Sequence, residues 1–459
     1  MAKQQYLTRP QELETMPPGI PYIVGNEAAE RFSFYGMKAV LAVFMTKYLL
    51  DASGAPAPFP EETASKWIHT FNGAAYFFPI LGAFLADWLL GKYRTILSLS
   101  LLYCVGHGVL ALMDVNHLLG VDQQSLLFVG LAIIAVGAGG IKPCVASHVG
   151  DQFGRKNEHL LPVVFSWFYF SINLGATVAI LLTPILRDRL GIGWAFGVPA
   201  VLMAIATFAF WMGRNKFVHI PPSGGELFRT TISPAGRQAL LNLFPLYLFV
   251  AMFWALFDQT HSRWVMQAEK MDRNFGFNLQ PTSDQLQAVN SILVLIMIPL
   301  TALVIYPALG KLFALTPLRK IGLGLFLAAP AFATSALIET AIQSGATPHA
   351  GWQILAYFFI TMAEILISIT AMEFSYTQAP NKMKSVMLGC FYLSVSLGNF
   401  YTAAVNQWIE SSAAQGTPVL QGAGYYWFFT ASMFMTAVLF LLWSPFYRGR
   451  TYIQSDDAV

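Results

Sequence analysis

Apolar runs of about twenty residues or more recur along the whole chain, each broken from the next by proline, glycine or charge. Neither strict alternation nor a one-sided stripe governs them, and helices that are apolar on every face belong in a core or a bilayer. The pattern predicts an all-α polytopic membrane protein of twelve transmembrane helices. They are expected at 22–49, 66–90, 95–113, 125–149, 161–186, 192–213, 238–266, 286–312, 318–340, 351–377, 384–409 and 424–446. Between the sixth and seventh runs, 215–237 contains His219-Ile-Pro-Pro-Ser-Gly-Gly, a polar stretch that ends the periodicity. The chain therefore divides into an N-terminal six-helix bundle at 1–213, a linker at 214–237 and a C-terminal six-helix bundle at 238–459.

Composition agrees with the pattern. Hydrophobic residues make up 56 % and charged residues 11 %, against roughly a quarter charged in a soluble domain, which excludes an ordinary soluble enzyme. A net charge of +3 over 459 residues supplies no basic stripe for a phosphate backbone, so no nucleic-acid partner is expected. Cys104, Cys144 and Cys390 lie far apart in apolar runs, with neither metal-ligand spacing nor a disulfide framework. The first twenty residues are polar and hold three prolines, so no signal peptide is expected. The basic residues between runs set an orientation. Lys3 and Arg9, Lys92 and Arg94, Arg155 and Lys156, Arg214 and Lys216, Lys311, Arg319 and Lys320, Lys382 and Lys384, and Arg448 and Arg450 all fall on one side. Asp51, Glu61 and Glu62 offset the fewer bases of the other side, which places both termini in the cytoplasm and the protein in the cell (inner) membrane.

Charge inside such helices is expensive, by at least about 2.5–3.5 kcal/mol at mid-bilayer, and so marks function or pairing. The first run holds Glu27, Glu30, Arg31 and Lys38. At about 100° per residue Glu27, Arg31 and Lys38 fall within roughly 40° of one another, flanked by Glu30, Phe34 and Tyr35. A salt-bridge network that ties helices together is one reading. Two acids against one arginine leave a surplus carboxylate, which makes reversible protonation the other. The fourth run has Gly137-Ala-Gly-Gly-Ile-Lys142-Pro143, glycines for close helix approach beside a deep lysine whose expected partner is that acidic cluster. The fifth carries Phe168-Tyr169-Phe-Ser-Ile-Asn173-Leu-Gly175, polar groups that also stitch helices together. In the seventh, Asp258 and Arg263 are expected as an outer gate pair or an interfacial salt bridge. In the tenth, Glu364 and Glu373 stand nine residues apart, half a turn out of phase, so one of them faces a cavity directly.

Two six-helix bundles around a central cavity are the architecture of large secondary transporters, which rock one half against the other. The segment Gly82-Ala-Phe-Leu-Ala-Asp87-Trp-Leu-Leu-Gly91-Lys92-Tyr-Arg94 resembles the loop signature of the major facilitator superfamily. More specifically, Glu27-Ala-Ala-Glu30-Arg31-Phe-Ser-Phe-Tyr35-Gly36, the Lys142-Pro143 segment, Phe168-Tyr-Phe-Ser-Ile-Asn173-Leu-Gly and Glu373-Phe-Ser-Tyr-Thr-Gln-Ala-Pro380 closely resemble the proton-dependent oligopeptide transporter family. The motifs fall in order and span both halves.

The resemblance implies a proton-coupled symporter that imports di- and tripeptides by alternating access within the major facilitator fold. It assigns proton coupling to Glu27, Glu30 and Arg31, with Lys142 exchanging salt bridges with them. It assigns the peptide amino group to Glu373 with Asn173 and Asn290 beside it, the peptide carboxylate to Lys38, and the cavity wall to Tyr35, Tyr76, Trp254 and Phe391. His69, in Trp67-Ile-His69-Thr-Phe, resembles a proton-coupling histidine of animal members; packing is its other reading. Three departures stand out: Phe34 replaces a usual tyrosine, Lys38 replaces a usual arginine and loses its bidentate fork, and the linker is too short for two extra helices. Peptides, protons and the lipid bilayer are the expected partners, with no cofactor. A relative that moves nitrate or another small anion is the alternative, against which the Glu373 carboxylate argues. No nucleophile with a base and no His-Glu-x-x-His set suggests an enzyme.

Overall fold

A computed structural model of the chain describes residues 6–222, 224, 225, 229, 231–378 and 384–448, with the side chains of 119, 158, 162, 166, 169, 376, 384 and 385 left aside. Lys3, Lys382 and Arg450 of the charge count lie outside the described residues, and the Lys384 side chain is among those left aside. Long helices dominate: α1 (Ile20–Val43), α2 (Glu61–Phe84), α3 (Lys92–Ala111), α4 (Gln123–Gly150), α5 (Leu161–Leu190) and α6 (Ile192–Met212). After the linker come α7 (Pro234–Phe257), α8 (Ala288–Leu300), α9 (Pro317–Gln343), α10 (Gly351–Glu364), α11 (Lys384–Ala414) and α12 (Ala423–Trp443). Among the described residues, eleven helical segments are long and apolar enough to cross a membrane. The remaining helix, α1, has the length but carries the four charged residues that the sequence pattern singled out.

Several helices begin where local chemistry supplies a partner for their free N–H groups. Asp122 accepts from the Ser125 amide at the start of α4, Ser233 from Gly236 before Pro234 of α7, and Thr316 from Arg319 before Pro317 of α9. Between α2 and α3, Gly91 takes φ +77°, a conformation that ends one helix and opens the next without strain. Inside the bundle, helices meet through glycine: a Cβ on Gly82 of α2 would lie 2.2 Å from the Gly140 carbonyl oxygen of α4. In lipid this intimacy matters, because helix association rests on van der Waals contact and hydrogen bonds more than on expulsion of water.

The spans are not uniform α-helix. Wider π turns occupy Phe44–Tyr48 after α1, Leu85–Leu90 after α2, Thr301–Ile305 after α8 and Ile365–Ile369 after α10, the last leading into a helix at Thr370–Thr377. The seventh span tightens instead, to a 3₁₀ turn at Asp258–His261, and breaks at Ser262 (φ −133°, ψ −92°) before Arg263–Ala268.

The helices group into two compact units. The first comprises residues 1–40, 49–57 and 74–232, in which α3 packs on both α4 and α6. The second comprises 41–48, 58–73 and 233–459, in which α9 packs on α12 and α10, and α11 on α7. Large apolar side chains such as Leu303 and Leu241, 77 % and 69 % exposed, point outward, the surface that a bilayer covers.

Candidate substrate and proton sites

In the first unit the stripe on α1 becomes an ion cluster. Arg31 Nε lies 2.7 Å from Glu27 Oε1, one helical turn back, and 3.2 Å from Glu30 Oε2. From α4, Lys142 Nζ reaches Glu30 Oε1 at 3.8 Å. Glu27 and Glu30 are each 1 % exposed. Two carboxylates therefore face two cations, and the charges balance. The pairing is uneven, however. Lys142 makes no hydrogen bond, and its ammonium sits 3.7 Å above the Phe34 ring and 5.5 Å from that of Tyr76. The phenylalanine that departs from the usual tyrosine thus gives the lysine a π face in place of a hydroxyl.

Lys38, also buried, lies 5.6 Å from the same Phe34 ring. The ring stands between two ammonium groups, one on its own helix and one on α4. Tyr35 packs edge-on to Phe34 and is half-buried, and Asn173 on α5 is buried. At the start of α3, Lys92 holds Asp151 through both carboxylate oxygens at 2.8 and 2.9 Å. Burial raises the Asp151 carboxyl from its ordinary value, opposed by the Lys92 ammonium.

In the second unit His69 is fully buried and bonded at both ring nitrogens. Its Nδ1 lies 2.8 Å from Asn399 Oδ1 and its Nε2 2.9 Å from Ser262 Oγ. The Asn399 amide donates through Nδ2 to Asp258 Oδ2 at 2.7 Å. With the amide so oriented, its oxygen faces the imidazole and accepts, which assigns the proton to Nδ1 and leaves Nε2 to accept from Ser262. Ser262, His69, Asn399 and Asp258 form one continuous hydrogen-bonded relay. Asn399 and Ser262 carried no signal in the sequence, since one amide and one hydroxyl in apolar helices do not differ from ordinary helix-bridging groups.

The expected Asp258–Arg263 pair does not form. Five residues apart on a helix are about 140° out of phase, and the break at Ser262 turns Arg263 further. Its guanidinium goes to Glu61 and Glu62, at 3.4 and 3.6 Å, to Asn406 at 2.9 Å, and over the Tyr425 ring. Lys66 with Glu410, Lys47 with Glu269, and Lys270 with Glu61 extend these ion pairs.

Glu364 and Glu373 lie in different surroundings. A π turn takes more residues per turn and shifts the phase of everything beyond it, and Ile365–Ile369 lies between them. Glu364 accepts a 2.9 Å hydrogen bond from Asn290 Nδ2, which also reaches Thr361, so Asn290 is placed with Glu364. Glu373 is exposed. Trp254 and Phe391 are buried in an edge-on pair 6.4 Å between ring centres, with the indole N–H of Trp254 unpartnered. Among the described residues, no group of three or more His, Cys, Asp or Glu is placed to hold a metal ion.

The sequence model of the POT family (PTR2) matches residues 93–235 and 226–428. Peptide transporter family 1 of Drosophila melanogaster is 38 % identical over 371 residues, 72 % of this chain and 48 % of that protein. Solute carrier family 15 member 2 of Homo sapiens is 38 % identical over 397 residues, 77 % of this chain and 53 % of that protein. The chain thus spans about half the length of these relatives. Among solved structures, the POT family transporter PepTSo superposes with a TM-score of 0.82 at 32 % identity, covering 94 % of this chain and 99 % of that one. An auto-inhibited POT family peptide transporter gives 0.82 at 35 %, covering 95 % and 99 %. Fold and sequence agree: this is a multi-pass membrane protein with the major facilitator fold, and the chain belongs to the POT family.

Proposed function

We propose that the protein is a proton-coupled symporter that imports di- and tripeptides by alternating access. The observation that carries the reading is the buried cluster of Glu27, Glu30, Arg31 and Lys142 on membrane-crossing helices. A group of charges in low dielectric is stable only while balanced. Protonation of Glu30 removes the partner of Lys142 and leaves two cations against Glu27. Lys142 is then free to move, and its 3.8 Å contact is the weakest in the cluster. Proton occupancy and the position of α4 are thereby linked. In the second unit, His69 and Asp258 at two points of one hydrogen-bonded relay serve as a further proton station.

The substrate reading rests on the invariant ends of a peptide. An exposed Glu373, with Asn173 as a flanking polar contact, receives the ammonium, and Lys38 receives the carboxylate. Tyr35, Tyr76, Trp254 and Phe391 offer aromatic walls that accept varied side chains without demanding hydrogen bonds. The moving bodies are the halves 1–213 and 238–459 joined by 214–237, set in the cell membrane with both termini cytoplasmic. Relatives named as peptide transporters and solute carrier family 15 members support the substrate class. The test is uptake of labelled dialanine by proteoliposomes carrying the purified chain. Accumulation driven by an imposed inward proton gradient is expected. Dialanine uptake indifferent to the gradient, or nitrate uptake in its place, overturns the reading.

A further inference from the structure

A groove of about 370 Å³ runs between α1 and α6 of the first unit. Small residues floor it: Gly25 and Ala29 one turn apart on α1, Ala206 and Ala209 on α6. Nothing lies within 4 Å of the place where a Cβ on Gly25 would stand. The rim is apolar and uncovered, with Ile205 60 % exposed. One polar group interrupts the wall. Asn26 is 2 % exposed, and neither its amide oxygen nor its nitrogen has a hydrogen-bond partner. One turn nearer the start of α1, Tyr22 also lines the groove, and its hydroxyl accepts a 2.9 Å hydrogen bond from Lys216 Nζ. Arg214 stacks 3.9 Å over Trp211 at the same end of α6. Polarity therefore falls in order along the groove: two cations held by aromatic rings, then an unsatisfied amide about 6 Å deeper by helical rise, then apolar side chains only.

We infer that this groove binds an anionic diacyl phospholipid, with its phosphate at Lys216 and Arg214, an ester carbonyl at the Asn26 amide and one acyl chain along Gly25, Ala29 and Ala206. That gradient of charge, amide and hydrocarbon is the gradient of the lipid itself. Cations at a bilayer surface draw anionic headgroups, whereas a choline headgroup would bring its own cation against them. An acyl chain also fills a smooth, shallow groove that a bulky side chain of another helix would enter only at isolated points.

The test is native mass spectrometry of the full chain in detergent, offered phosphatidylglycerol or phosphatidylcholine with the same acyl chains, and glycerol phosphate as the headgroup alone. A retained phosphatidylglycerol adduct that outlasts phosphatidylcholine is expected, undisturbed by glycerol phosphate. Lys216→Gln and Arg214→Gln are each expected to weaken it about fivefold, the effect of one cation near a charged surface. Gly25→Leu fills the groove from open space and is expected to reduce occupancy with the charges intact, while thermal unfolding in lipid-free detergent stays unchanged. Equal occupancy by the two lipids, full displacement by glycerol phosphate, or unaltered binding by folded variants overturns the proposal. So does a dimer that excludes lipid and disappears on Gly25→Leu, since the groove would then seat a second copy.

Discussion

Glu27, Glu30, Arg31 and Lys142 in the first unit and Ser262, His69, Asn399 and Asp258 in the second are all largely withdrawn from solvent, yet they are held by different forces. The first group is bound by opposite charge, with contacts graded from 2.7 to 3.8 Å. The second is bound by directional hydrogen bonds of 2.7–2.9 Å running through a neutral amide. Charge tolerates changes of distance and angle, whereas a hydrogen bond weakens steeply once bent. The ion cluster can therefore exchange partners by degrees, whereas the relay is either made in one geometry or broken. Removing a member should expose the difference: in one group an uncompensated charge is left, in the other an unpaired dipole.

Arg31→Met breaks the comparison hardest, because it strands the buried Glu27 carboxylate and leaves Glu30 only its 3.8 Å contact with Lys142. A loss of about 3–5 kcal/mol is expected, read as a drop in thermal midpoint in detergent, with recovery in the Arg31→Met, Glu27→Gln double variant. A loss below about 1 kcal/mol would mean that packing, not charge, secures α1. Glu30→Gln keeps the size of the side chain and removes its proton exchange. Proton-driven accumulation of peptide should vanish while peptide counterflow, which needs no net proton movement, persists. Loss of both with an unstable fold would reduce the cluster to a tie between helices.

Much of the first group was legible in the sequence because charge in an apolar helix is rare and has a phase. Glu27, Arg31 and Lys38 announce a common face by spacing alone, and Lys142 announces a deep cation that requires an acid. The second group was legible only at His69 and Asp258. Asn399 and Ser262 have side chains that apolar helices use routinely, and their partners lie 330 and 193 residues away in the chain. The π turn at Ile365–Ile369 and the break at Ser262 were not legible, and the break turns Arg263, already about 140° from Asp258 by helical phase, to Glu61 and Glu62. No residue pattern in those segments specifies such irregular turns.

A third variant carries the comparison to the substrate. Glu373 is exposed and Glu364 is hydrogen-bonded to Asn290, and it is Glu373 that the proposed reading sets against the peptide ammonium. Glu373→Gln should weaken binding of free dialanine by about 10- to 150-fold, the worth of a charge-assisted hydrogen bond of roughly 1.5–3 kcal/mol. N-acetylated peptide should be affected much less. Equal losses for both peptides would remove Glu373 from the reading of the amino terminus.

The smallest effects belong to the relay, and they separate its proton carrier from its supports. His69→Gln should reduce proton-driven uptake and flatten its dependence on pH, leaving counterflow nearly intact. Ser262→Ala should behave otherwise. A hydroxyl donates to a neutral Nε2 and accepts from a protonated one, so Ser262 serves both states of the ring. Its removal leaves a buried ring nitrogen unpaired in either state, worth about 1–3 kcal/mol of stability, without favouring one state over the other. The thermal midpoint should fall while the shape of the pH profile is kept. If Ser262→Ala flattens the profile as fully as His69→Gln, the hydroxyl is part of the proton's route, and the relay resembles the ion cluster in being able to rearrange.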